Sequence, residues 1–144
     1  MFSPERSNEL ILIACVDDGM GMMFNKRRVS RDEAVIKRII EISDNKSIWM
    51  SQYSYPLFEN AKTENIVADD SCLDKASSDE YCFIENLSMT NHKDKIDKII
   101  LFRWNRSYPS DMKFDIDLNE WKMNSSEEFA GNSHECITME VYSK

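Results

Sequence analysis

Asp32 stands just ahead of an apolar series, Val35, Ile36, Ile39, Ile40 and Ile42, and that setting admits two chemistries. In an apolar cleft its carboxyl would be desolvated, its pKa raised and its proton available to a bound molecule. At the first turn of a helix the same carboxylate would only stabilise the positive end of the helix dipole. The two histidines, His92 and His134, are too isolated to build a zinc cluster, and each suits a surface position as well as a ligand-orienting one. The acid pairs Asp17-Asp18, Asp69-Asp70 and Glu127-Glu128 lack a converging histidine or a third acid at helical spacing, so no metal is expected. The basic run Lys26-Arg27-Arg28, with Arg31 close behind, could hold a small anion or face water as a solvated loop. Met20, Met22 and Met23 would serve as an adaptable lid or as packing. Tyr53, Tyr55 and Phe58 could line a cleft or fill a core.

The chain that must position these groups has 144 residues, enough for one core that buries roughly 70% of the surface of its unfolded chain. With 42% hydrophobic and 31% charged residues it is a globular composition, not a disordered one. The net charge of −8 argues against nucleic-acid backbones as partners. Cys15, Cys72, Cys82 and Cys136 are widely spaced with no CxxC pattern, and three lie in apolar runs, as buried thiols do. The start, Met1-Phe2-Ser3-Pro4-Glu5-Arg6, lacks the basic-then-apolar order of a signal peptide, and no apolar run nears the ~18 residues of a membrane span. The expectation is a cytoplasmic protein with no membrane partner.

Leu10 to Val16 is an unbroken apolar run ended by Asp17-Asp18-Gly19, which predicts a strand buried on both faces. A loop through Ser30 follows, then a helix from Arg31 to about Ser43, with Ser30 as N-cap and Glu33 completing a capping box. Further strands are expected at Ser47 to Met50, Ile66 to Ala68, Tyr81 to Ile84 and Ile99 to Trp104. Between them come a helical or irregular stretch at Tyr53 to Phe58, a helical turn or two at Ser71 to Ala76, and a polar helix at Lys93 to Asp97. Glu135 to Tyr142 alternates as a half-buried strand. Alternating elements followed by a run of strands predict a three-layer α/β/α domain: a mostly parallel central sheet, helices on both faces and an antiparallel C-terminal edge.

In this order the segments resemble dihydrofolate reductase over nearly the whole chain. Leu10 to Asn25, with Gly21-Met22, is similar to the family's opening strand and the loop that closes over the nicotinamide. Trp49-Met50-Ser51-Gln52-Tyr53-Ser54 resembles its cofactor-phosphate turn. Trp121, then Asn132-Ser133-His134 leading into Cys136 to Val141, resembles its closing hairpin. The resemblance implies Asp32 as the catalytic acid, Ala14, Cys15, Ile36, Ile84 and Phe102 as substrate contacts, and Gly21, Asn25, Ser51, Gln52 and Ser54 as cofactor contacts.

The departures fall on those functional positions. Where the family has paired glycines after its cofactor-binding strand, this chain has Glu85-Asn86-Leu87. A carboxylate there repels a diphosphate and a side chain fills its space. Only three glycines, Gly19, Gly21 and Gly131, occur in the whole chain, so no other phosphate cradle is available. Phe102 replaces the family's acid-orienting Thr, and the Arg that holds the folate tail is missing near Thr63. The expectation is a reductase-fold protein that has lost NADPH-dependent activity, needs no cofactor and binds a small molecule or protein partner in the old cleft, with homodimerisation left open. The alternative is a divergent oxidoreductase that uses NADP on a pterin or folate-like heterocycle.

Overall fold

The structure is a computed structural model that describes residues 10–61 and 63–144. Met1 to Arg6, on which the expectation about a signal peptide rested, lies outside the described residues. The strands and helices follow in the order β1 (Leu10–Val16), β2 (Gly21–Phe24), β3 (Arg27–Arg28), α1 (Glu33–Ser43), β4 (Ile48–Met50), β5 (Ile66–Ala68), α2 (Cys72–Lys75), β6 (Tyr81–Phe83), β7 (Ile96–Arg103), β8 (Met112–Lys113), β9 (Lys122–Phe129) and β10 (Ile137–Ser143). A seven-stranded sheet has the order β5-β4-β6-β1-β7-β10-β9. Its first five strands run parallel, and β10 lies antiparallel to both β7 and β9. β1 is central because it is apolar at every position and can be covered on both faces.

Side chains alternate across the sheet, so each strand feeds two cores. Ile13, Phe83, Ile100 and Phe102 pack with Val35 and Ile39 of α1. Leu12, Ala14, Cys82, Ile84 and Leu101 pack on the other face with Cys72 and Leu73 of α2 and with Met22, Met23 and Phe114. This second layer is thin: one helical turn, 3-10 turns and the three-stranded sheet β3-β2-β8. The domain is thus a mostly parallel α/β sheet with antiparallel strands at its C-terminal edge and few helices.

Three local expectations are corrected. Residues 17–30 are not all loop, since β2 and β3 form a hairpin whose turn residues Asn25 and Lys26 both have positive φ, 51° and 65°. That pairing of left-handed residues is a type I′ turn, whose twist suits a two-residue hairpin. The helix cap is Asp32 rather than Ser30: its extended backbone (φ −157°) and its carboxylate, 2.8 Å from the Ala34 N–H, satisfy the first turn. The polar helix at Lys93 to Asp97 is a 3-10 helix over Thr90–Lys95, and Ile96 already begins β7. The anticipated C-terminal strand does run antiparallel near the edge as β10, with β9 paired outside it.

Candidate functional site

In open α/β sheets, ligands bind beyond the carboxyl ends of the parallel strands. At that end here, β1 runs into Asp17, β4 into Ser51, β6 into Ile84-Glu85 and β7 into Trp104. Three buried acids lie in the region: Asp17 accepts the backbone N–H groups of Gly19, Gly21 and Tyr108, and the other two, likewise committed to the protein itself, organise the rest.

The first is Asp32, whose side chain is fully buried. Besides capping α1 it accepts backbone N–H groups from Asn132 and Ser133, each at 2.8 Å, and from His134 at 3.1 Å. His134 Nδ1 adds a contact at 3.0 Å. Gly131 lets this loop close, because a Cβ there would stand 2.6 Å from Asp32 Oδ2. Burial pushes the Asp32 carboxyl up, but the donors outweigh it and hold the pKa well below the usual carboxylate range. Of the two chemistries open to it, the upward shift in an apolar cleft is ruled out: hydrogen bonds to the charged form win. His134 is itself buried, stacked on Trp104 with ring centroids 4.7 Å apart, and its Nε2 lies 2.9 Å from Ser30 Oγ and 3.2 Å from the Tyr108 hydroxyl.

The second acid is Glu85. Arg28 on β3 grips it with two contacts, Nε to Oε2 at 2.9 Å and Nη2 to Oε1 at 3.2 Å. Ser54 donates to Oε1 at 2.8 Å, and Ser51 donates to Asn86 Oδ1 at 3.0 Å. The Arg28 guanidinium also lies over the Tyr53 ring, 4.6 Å from its centroid, while the Tyr53 hydroxyl accepts the Arg28 N–H. The hairpin, the turn after β4 and the turn after β6 are thus latched together by one bidentate pair. Nearby, Asp69 and Asp70 follow β5, and Asp70 accepts the Gln52 N–H at 2.9 Å. Asp69 is paired with Lys75 at 2.6 Å, so what a diphosphate would meet here is side chains bonded inward and no glycine cradle, and these residues do not fit a dinucleotide.

The residues proposed from sequence are distributed unevenly around this end. Cys15 and Ile36 share with Asp32 a cavity of 10 Å³, room for no more than a single water. The Cys15 thiol is pushed up, first by burial and then by the Glu85 carboxylate, which makes it a poor nucleophile. Ala14 and Ile84 point to the opposite face of the sheet, as strand alternation requires, so their side chains cannot share a cleft with Asp32. Phe102 lies on the α1 face but is wholly buried. Ser51 and Ser54 are buried and bonded inward, and Gln52 is exposed with its amide on the Ala68 carbonyl at 3.1 Å. Gly21 is required by a close approach, since a Cβ there would lie 2.5 Å from Ser110. Asn25 sits in the hairpin turn. Met22 and Met23 are core, and Tyr53 packs against that core beneath Arg28.

Two open grooves flank the filled centre. One, of 390 Å³, lies between α1 and the segment after β4, with Ile36, Ile40, Pro56 and Leu57 as apolar wall, Arg31 and Lys37 as cations and Glu33 and Glu41 as acids on the same rim. The other, of 470 Å³, is bounded by Phe24, Arg27, Val29, Tyr108 and Pro109. The sequence reading did not single out Ser30 or Tyr108 as site residues. They are 78 positions apart, and only the fold brings their side chains to His134. Among the described residues, no helix is long and apolar enough to cross a membrane and no group of three or more His, Cys, Asp or Glu is placed to hold a metal ion.

No protein-family model and no curated protein matches this sequence. Among solved structures, a dihydrofolate reductase from Enterococcus faecalis, complexed with NADP(H) and RAB-propyl, aligns with a TM-score of 0.65 at 11% identity, over 95% of this chain and 96% of that one. That similarity is one of fold and carries no activity with it. The chain has a dihydrofolate reductase-like fold.

Proposed function

We propose that this chain is a reductase-fold protein that has given up NADPH-dependent reduction and holds a small molecule in the groove beside α1. The observation that carries the reading is the Arg28–Glu85–Ser54 latch. The Enterococcus faecalis enzyme is described with NADP(H) bound. A nicotinamide dinucleotide brought to the corresponding turns of this chain would meet a carboxylate and side chains bonded inward, where it needs backbone donors and space. Asp32 supports the same reading, since a carboxylate saturated by loop donors and closed off from solvent cannot present a proton to a heterocycle. With the central cavity reduced to 10 Å³, the 390 Å³ groove is the remaining space beside α1. Its apolar wall, edged by Arg31 and Lys37 and also by Glu33 and Glu41, suits a molecule with an apolar body and a zwitterionic end.

Thermal unfolding in the presence of small aromatic amino acids tests the reading. A ligand at ten times its Kd should stabilise the chain by about 1.4 kcal/mol. That gain should disappear in Lys37→Glu, which reverses the charge at the groove without touching the sheet. A parallel assay with NADPH and dihydrofolate should show no turnover. Turnover that disappears in Asp32→Asn would overturn the reading and establish the divergent NADPH-dependent oxidoreductase instead.

A further inference from the structure

Ser30, His134 and Asp32 form a continuous relay that the ligand-binding reading does not use and on which it does not depend. Asp32 Oδ2 lies 3.0 Å from His134 Nδ1, and His134 Nε2 lies 2.9 Å from Ser30 Oγ. With Nδ1–H donating to the carboxylate, Nε2 is left to accept the Ser30 hydroxyl proton. The imidazole is fixed on every side. Trp104 stacks on it at an interplanar angle of 24°, and Asp32 also holds the backbone N–H of His134. The loop is anchored through Asn132 and Ser133 as well, so the acid that orients the ring is itself immobile. Tyr108 completes the cluster, with its hydroxyl 3.3 Å from Ser30 Oγ and 3.2 Å from His134 Nε2. Ser30 is half-buried and lines the 10 Å³ cavity beside Asp32, while its neighbours Val29 and Tyr108 wall the adjoining 470 Å³ groove, which also carries the exposed Arg27.

We infer that Ser30 is the nucleophile of an acyl-transfer site opening on the Tyr108 groove, with His134 as proton carrier, Tyr108 as oxyanion donor and Asp32 as the positioning residue. Arg27 makes small esters with an anionic group the preferred substrate class. In the first step a bond forms between Ser30 Oγ and the ester carbonyl carbon as the hydroxyl proton passes to His134 Nε2. The carbonyl π pair moves onto oxygen, where the Tyr108 hydroxyl donates to it. Collapse breaks the bond to the leaving oxygen, which departs as the alcohol with the proton from His134. Water then attacks the Ser30 ester, giving its proton to His134, and the acid leaves as Ser30 regains its hydrogen.

The test uses the purified chain with a fluorophosphonate probe and with 4-nitrophenyl esters. A single phosphonyl adduct on Ser30 is expected by peptide mass mapping, absent in Ser30→Ala, a variant that deletes one oxygen and should fold. Ester hydrolysis should fall to background in Ser30→Ala and by at least about a hundredfold in His134→Gln. Tyr108→Phe should lower kcat more than it raises KM, and Asp32→Asn should lower kcat with KM unchanged. The half-ester of succinate should exceed the acetate in kcat/KM by about fivefold, the size of one exposed charge contact; equal values would overturn the substrate class. Folded protein that is not labelled on Ser30, or hydrolysis that survives in Ser30→Ala, would overturn the site and leave the relay a structural clamp.

Discussion

The Asp32 carboxylate takes hydrogen bonds from four backbone N–H groups, those of Ala34, Asn132, Ser133 and His134. Burial alone would raise its pKa, but these donors and the His134 ring reverse the sign. A group whose pKa is lower folded than unfolded adds stability that is complete above its unfolded value and is lost as pH falls through the folded one. Replacing it by Asn removes a helix cap and several charge-assisted bonds, and should cost about 2–3 kcal/mol at neutral pH. Urea unfolding of both proteins across pH checks the sign. The gap between wild type and Asp32→Asn should stay level down to about pH 5 and narrow below it. A gap that widens on acidification would mean that Asp32 is protonated in the folded state. Sequence placed this acid correctly at the start of a helix and left its electrostatics open between a raised pKa in a cleft and an ionised first-turn carboxylate, of which the structure has the second. The decisive donors come from residues a hundred positions away, and no local pattern announces them.

At the scale of elements, the hairpin of β2 and β3 carries Arg28 to Glu85, so its geometry sets the latch. Its type I′ turn holds Lys26 at φ 65°, a conformation that costs a residue with a Cβ about 1 kcal/mol and costs glycine little. Lys26→Gly should therefore stabilise the chain by about 0.5–1 kcal/mol, seen as a rise in the urea midpoint with the slope unchanged. A loss of stability would show that the Lys26 side chain has a role in the fold. This hairpin was hard to read, because Asn25-Lys26 lacks the glycine that marks such turns and the basic run looks like solvated loop. β9 was harder still: in Lys122 to Phe129 seven of eight residues are exposed, so there is no apolar alternation and only backbone pairing to β10 makes it a strand. β1 and α1, by contrast, announced themselves through an unbroken apolar run and a helical period, the two patterns that burial imposes directly on sequence.

For the whole molecule, the parallel sheet was legible because its strands are buried on both faces and separated by the expected crossovers. What fills the end of the sheet was legible only in part. Glu85-Asn86 in place of a glycine pair signalled that a cofactor cradle was missing, but not that Arg28 and Ser54 would close over the acid. The latch ties three segments that are far apart in sequence, and on the proposed reading a cofactor would have to break it before entering. The account is tested most directly by calorimetric titration of NADPH into the unmodified chain and into the double variant Glu85→Gly, Asn86→Gly. The unmodified chain should show no binding at micromolar NADPH, and the variant, with its carboxylate gone and Arg28 released, should gain affinity by about tenfold or more. Micromolar binding by the unmodified chain, with no gain in the variant, would contradict the claim that the protein's own side chains occupy the cofactor's place.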